Sequence, residues 1–324
     1  MSMMFGDGGR EYDGMASKLP PAQESRNDSP SCNTTEACGW QIVSASTPGA
    51  IHERNGTPNQ DALCWWSAER EKQLAVLCVA DGHGGREYTR SDIGARRAVT
   101  QAQLLLVSEA LPRILDGSAR RDWTQFERQI KQRLPKELVS RWRTSIFQHA
   151  TDNPISEDET SCPDEEAAAP QQDTPVERRY GATLLAALLT PELHLYIQLG
   201  DGDILTISAD GEVTRPPFET DSYLIANHTT SLSSKDAWRF VRIHFQSIVD
   251  NPPVFVMLAT DGYANSFAED ADFEQVATDL YTAIQEDGPA AVADHLPSWL
   301  EATSIGGSGD DISVVIAAEA SRLR

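Results

Sequence analysis

Four apolar runs in this 324-residue chain begin or end on aspartate. The run 74–80 stops at Asp81-Gly82, 193–200 at Asp201-Gly202-Asp203 and 254–260 at Asp261-Gly262, while Asp310-Asp311 opens the run that starts at Ile312. One Asp-Gly pair is ordinarily a tight turn, because glycine tolerates positive φ and aspartate caps its own turn. Four such sites against apolar strands ask for more, since a carboxylate at the edge of a buried sheet is costly unless it is neutralised. A cluster of divalent cations supplies that neutralisation, provided the fold brings the four ends together. Every donor in the set is an oxygen, which suits Mg2+ or Mn2+, whereas Zn2+ recruits His or Cys. His83 lies in Asp81-Gly82-His83-Gly84-Gly85, where glycines on both sides leave its imidazole unshielded. Its ordinary pKa near neutrality suits it to protonate a departing alkoxide.

Around these sites the chain reads as one catalytic domain at 39–320 with decorations. Residues 1–38 are rich in Gly, Ser, Asn, Asp and Pro without an apolar period, and are expected to be a disordered tail. Short apolar runs at 40–45, 62–66 and 74–80 predict strands. Trp65 and Trp66 then face opposite sides, one buried and one at the surface. Helical spacing follows between 86 and 150, in Ala102, Leu105 and Leu106 and again in Leu134, Leu138, Trp142 and Ile146. Residues 151–177 hold nine acidic and no basic side chains together with four prolines, a flexible acidic insertion. Runs at 182–189, 193–199 and 204–208 read as an antiparallel meander. An alternating strand at 238–246, a buried strand at 254–259, two helices across 273–302 and a last strand at 312–317 complete the domain.

The formal charge of −22 disfavours nucleic acid and anionic membrane surfaces as partners, but not divalent cations. Five scattered cysteines, without Cys-x-x-Cys spacing, argue against a disulfide framework and a zinc ribbon and point to a reducing cytoplasm. No apolar run approaches the ~20 residues that span a bilayer, and Asp7, Glu11 and Asp13 stand where a signal peptide would be apolar.

In order along the chain, Asn59-Gln60-Asp61-Ala62, Val79-Ala80-Asp81-Gly82-His83-Gly84-Gly85, Gly181-Ala182-Thr183, Leu199-Gly200-Asp201, Ala259-Thr260-Asp261-Gly262 and Gly309-Asp310-Asp311-Ile312-Ser313-Val314 resemble the motifs of the metal-dependent type 2C protein phosphatases. The resemblance implies an α+β fold, two packed antiparallel β-sheets flanked by helical layers in an α-β-β-α sandwich. It implies that Asp81 bridges two Mn2+ or Mg2+ ions with the Gly82 carbonyl joining in. Asp261 and Asp310 would complete the first ion, Asp61 would lie near the second, and Asp201 would hold a weaker third ion together with Asp261. A metal-bridging hydroxide would attack the phosphoserine or phosphothreonine of a protein substrate, with His83 as general acid. The partners implied are phosphoproteins and a cognate Ser/Thr kinase system, as in bacterial signalling.

Three departures from the family pattern bear on this. Gln60 replaces a frequent Glu, which weakens the second metal or shifts its load to Asp61. The phosphate-binding Arg is expected five residues before Asp61, where this chain has Gly56, so Arg54 becomes the phosphate-ligand candidate, with His52 a lesser one. Asp203 stands where the family often has Arg. Two other readings compete: a silent phosphatase-fold module that binds a kinase or phosphoprotein, and a metal-dependent hydrolase of nucleotides or other small phosphoesters.

Overall fold

The computed structural model describes residues 33–36, 39–68, 73–156, 174–218, 230–249, 251–319 and 321. In chain order, β1 (Asn33–Glu36), β2 (Trp40–Thr47), α1 (Ala50–Asn55), β3 (Ala62–Ser67) and β4 (Ala75–Ala80) precede the first helical layer. That layer comprises α2 (Ser91–Leu105), which continues through a π-helical turn at Leu106–Ala110 into α3 (Leu111–Leu115), then α4 (Ser118–Arg121) and α5 (Trp123–Asp152). After the turn α6 (Val176–Arg179) come β5 (Leu184–Leu189), β6 (Leu193–Leu199), β7 (Asp203–Ser208), β8 (Val213–Thr214), β9 (Arg242–Ser247) and β10 (Pro253–Ala259). The chain closes with α7 (Asp261–Ala264), α8 (Asp270–Asp287), α9 (Pro289–Gly306) and β11 (Ile312–Glu319).

The strands form two antiparallel sheets, one ordered β1-β2-β11-β10-β7-β8 and the other β3-β4-β5-β6-β9. Alternation along β4 shows how they stack. Ala75, Leu77 and Val79 meet Ile42, Val256, Leu258 and Val315 of the opposite sheet, while Val76, Cys78 and Ala80 meet the helices. Successive side chains of a strand point to opposite faces, so an apolar residue at every position specifies a strand covered on both sides. Each fully buried Leu, Ile or Val there contributes ~1.5–3 kcal/mol. Helices α2 and α5 cover the five-stranded sheet through Ala98, Ala102, Leu138, Trp142 and Ile146. Helices α8 and α9 cover the six-stranded sheet through Phe273, Leu280, Leu296 and Leu300. The α-β-β-α sandwich expected from the sequence is the architecture observed. Gly94 lets α2 sit against the chain at Tyr180, since a β-carbon there would lie 1.8 Å from the Tyr180 carbonyl oxygen.

Several local expectations change. Asn33–Glu36, placed in the tail by composition, pairs with Gln41–Ser44 as an edge strand, which needs only backbone hydrogen bonds. The rest of the tail, and 157–173 of the acidic insertion, lie outside the described residues. The meander is interrupted: β5 and β6 pair with each other, but β7 crosses to the other sheet and pairs with β10. Gly200, at φ 108°, makes the crossover, and a β-carbon there would meet the Thr183 side chain at 2.6 Å. Residues 237–239 form a 3-10 turn, and strand pairing begins only at Arg242. Trp65 and Trp66 do face opposite sides, yet both are half-buried, because β3 is an edge strand with a neighbour on one side only. No described helix is long and apolar enough to cross a membrane.

Candidate metal centre

Antiparallel register decides which strand ends coincide. The end of β4 pairs with the start of β3 (Ala80 with Ala62), the end of β10 with the start of β7 (Ala259 with Asp203) and near the start of β11 (Ala259 with Val314), and the end of β6 with the start of β5 (Leu199 with Leu184). All the aspartate-bearing ends therefore share one rim of the sandwich. Asp81, Gly82, His83, Asp201, Asp261 and Asp310 line a cavity of about 210 Å3, completed by His52, Gln60 and Gly84.

The Asp81 loop is held on both flanks. The Asp81 amide donates to Thr183 Oγ1 at 3.0 Å and its carbonyl accepts from the Thr183 amide at 2.8 Å. The Gly82 amide donates to the Gln60 carbonyl at 3.2 Å and the His83 amide to the Gly181 carbonyl at 3.1 Å. Gly82 is packed so closely that a β-carbon would lie 2.5 Å from the Gln60 carbonyl oxygen and 2.7 Å from that of Ser91. The loop has one place to be, and that place aims Asp81 at the other carboxylates.

Asp61 sits behind the cavity, 1 % exposed, with one oxygen accepting the Thr260 hydroxyl at 2.7 Å. Thr260 in turn accepts from the Ser313 amide at 2.9 Å, which ties β10, β11 and the entry to β3 together. Asp261 opens α7 and accepts from Asn265 at 3.0 Å on Oδ2, while its Oδ1 is buried without a hydrogen-bond partner. Asp310 is more open and accepts the Asp311 amide at 2.8 Å. Burial first, and then the neighbouring carboxylates, push Asp61 and Asp81 well above the usual carboxylate range and raise Asp261. Such a group is short of positive charge, and none of the described cavity residues is Arg or Lys.

His83 differs from its sequence expectation. Its ring is not unshielded but half-buried edge-on against Tyr88, with centroids 5.1 Å apart. Burial lowers its pKa, with the charge of Asp201 working the other way. A different glycine makes the shielding possible: a β-carbon on Gly181 would meet the Tyr88 and His83 rings within 3 Å.

Arg54 is exposed, and its Nε donates to the Ala50 carbonyl of its own helix at 3.0 Å, outside the cavity wall. His52 takes the wall position instead. Its Nδ1 lies 2.9 Å from Asp311 Oδ1, a contact that raises its pKa. Asp311, which the sequence reading passed over for Asp310, is 4 % exposed. One of its oxygens accepts from the Gly49 amide and the other from the Gln60 amide, each at 2.6 Å. This clasp fixes the loop that carries His52, Gln60 and Asp61. The Gln60 side chain donates from its Nε2 to Ser91 Oγ at 2.9 Å. Asp203 belongs elsewhere: it pairs with Arg215 at 2.8 Å, and Arg215 also binds Asp270 and Glu274 of α8.

A sequence model of the protein phosphatase 2C family matches residues 48–301, a span that takes in most of the sandwich and all but one of the cavity aspartates. The chain belongs to the protein phosphatase 2C family. Among solved structures, the serine-threonine phosphatase 2C of Toxoplasma gondii aligns over 93 % of this chain and all of its own, at 11 % identity and a TM-score of 0.55. The phosphatase Stp1 of Staphylococcus aureus aligns over 88 % of this chain and 97 % of its own, at 12 % identity and a TM-score of 0.52. Identities this low carry the fold alone. No curated protein sequence matches the chain. The donors here fit the divalent cations on which the family depends, because a crowded all-oxygen set with elevated pKa values and an orphaned Asp261 oxygen is what a cation relieves.

Proposed function

We propose that this chain is a metal-dependent protein serine/threonine phosphatase. The observation that supports the reading best is the convergence of Asp81, Asp201, Asp261 and Asp310, drawn from both sheets, on one small cavity with an imidazole at its wall. Asp81, Asp261, Asp310 and the Gly82 carbonyl are the residues to hold two Mn2+ or Mg2+ ions, with Asp61 supporting from behind and Asp201 available to a third. Bound there, the cations acidify water and neutralise the phosphoryl oxygens. The chain's own contribution is placement. The clasped Asp81 loop sets the carboxylates before substrate arrives, and preorganised charge costs no rearrangement during reaction.

His83 donates the proton that the departing Ser or Thr oxygen requires. Its backbone is pinned by Gly181 and its ring by Tyr88, so the imidazole is oriented without help from substrate. No covalent phosphoenzyme is needed: the described cysteines, Cys64 and Cys78, are buried within the five-stranded sheet. The substrate is a phosphorylated protein, and the physiological setting a signalling system with an opposing Ser/Thr kinase, in the cytoplasm.

The test is turnover of a phosphothreonine peptide and of para-nitrophenyl phosphate by chelator-stripped protein, with Mn2+ or Mg2+ restored, beside Asp81→Ala, Asp261→Ala and His83→Ala. Metal-dependent turnover that disappears in the aspartate variants supports the reading. The position of Arg54 outside the cavity favours the second reading, a silent module, for which the folded protein would bind phosphopeptide and turn over nothing in any metal.

A further inference from the structure

The wall of the cavity formed by α1 is built to a fixed geometry. Gly49 lies so close to the start of β11 that a β-carbon on it would be 2.4 Å from the Asp310 carbonyl carbon. The Ala50 amide donates to Ser304 Oγ at 3.1 Å, Ser304 Oγ donates to the Asp310 carbonyl at 2.9 Å, and the Ile51 amide donates to the Gly309 carbonyl at 2.9 Å. His52 is therefore locked against Asp310 and Asp311 by backbone, not by side-chain chance. One ligand atom from each of His52, Asp310 and Asp311 lies within 4.8 Å of the others.

The imidazole makes poor use of this position as a hydrogen-bonding group. Its Nδ1 is 2.9 Å from Asp311 Oδ1, an ion-pair contact that falls short of good hydrogen-bond alignment and is the one polar contact this nitrogen shows among the described residues. Asp311 meanwhile has its charge aligned by two backbone amides and keeps further lone pairs. A nitrogen and two carboxylates held this close on a rigid wall are a donor set for a cation between them.

We infer that the metal centre of this chain has a nitrogen ligand, His52, which together with Asp310 and Asp311 holds a divalent transition-metal ion at the α1 side of the cavity. This rests on the reading of the cavity as a metal centre, and adds a donor that the oxygen-only set lacks. The nitrogen biases the centre toward Mn2+ and its heavier neighbours over Mg2+, which prefers oxygen.

The experiment is pulsed electron paramagnetic resonance of the full chain, stripped and reloaded with Mn2+, read for modulation by a coordinated 14N nucleus. The expected result is an imidazole-nitrogen signal in the wild type and in His83→Gln, absent from His52→Gln. Calorimetric titration should show the Mn2+-over-Mg2+ preference of His52→Gln reduced by about tenfold, the scale on which groups around a metal alter affinity. Should His52→Gln fold poorly, 15N-histidine labelling of His83→Gln gives the answer instead: the 14N signal must convert to the 15N pattern with His52 the one histidine left among the described cavity residues. Mn2+ that binds, is lost in Asp81→Asn, and shows no nitrogen coupling overturns the inference while leaving the phosphatase reading in place. A nitrogen signal that survives in His52→Gln and vanishes in His83→Gln overturns it as well. A wild type that binds no Mn2+ overturns both.

Discussion

Replacing Asp81 by Asn should stabilise the protein when metal is absent and destabilise it, relative to wild type, when metal is present. Asp81 is surrounded by Asp61, Asp261 and Asp310, and burial together with those charges raises its pKa well above the usual range. A carboxyl whose folded pKa is raised contributes its stability below the unfolded value, near 4, and loses it as pH rises through the folded value. At pH 7, above the unfolded value, the stripped protein has therefore given up part or all of what the proton supplied. Each unit of elevation corresponds to ~1.4 kcal/mol, and two unit charges ~4 Å apart repel by about 4 kcal/mol at an effective dielectric of 20. An uncharged amide of the same shape removes at least the smaller amount. In a domain of this size that raises Tm by roughly 2–4 °C per kcal/mol. With Mn2+ at a hundred times its Kd, the wild type gains about 2.7 kcal/mol by mass action. The Asn variant, lacking the central ligand, should gain little. Calorimetric scans at pH 7 in chelator and in Mn2+ should thus show the order of melting temperatures inverting. If Asp81→Asn melts below wild type in chelator, or if Mn2+ raises both equally, the carboxylates are not a metal-neutralised cluster.

Three more outcomes follow from single contacts. Asp311→Asn keeps one acceptor but loses the charge that draws the Gly49 and Gln60 amides to 2.6 Å, and should cost ~2–4 kcal/mol in denaturant titrations while speeding hydrogen exchange at those two amides. His194, 2 % exposed and 3.2 Å from the Tyr196 hydroxyl, has its pKa lowered to about 3 by burial. Between that value and the unfolded one near 6.5 only the unfolded chain takes up the proton, so stability falls as pH falls. The stability of His194→Phe should accordingly rise relative to wild type by about 2 kcal/mol between pH 7 and pH 5, and a pH-independent difference would count against the assignment. Arg215→Met, which removes half-exposed ion pairs to Asp203, Asp270 and Glu274, should cost only about 1 kcal/mol and leave metal-dependent turnover unchanged, as Asp203 is not in the cavity.

The composition of the aspartate cluster was legible in the chain because it depends on local pattern. A strand buried on both faces must be apolar throughout, and an aspartate at its end stands out against it. Two pairs of near neighbours show what local pattern leaves open. Arg54 and His52 are two residues apart, and on the helical turn α1 that separation rotates them by ~200°, so only one faces the cavity. Asp310 and Asp311 are adjacent, and the backbone turns one toward open cavity and the other into the amides of a loop some 250 positions earlier in the chain. Spacing along the chain names the candidates; the conformation of a turn selects among them.

What the sequence determined by itself was the long strands and helices of the sandwich, their two-sided or one-sided burial, and the carboxylates at their ends, all set by periods of 2 and 3.6 residues. The tertiary structure decided the rest. The crossing of β7 to the opposite sheet, the register that places Ala80, Ala259 and Leu199 on a common rim, and the clasp of Asp311 on Gly49 and Gln60 all join residues far apart in the chain. Their free energy comes from pairing and packing between elements, which no local pattern encodes.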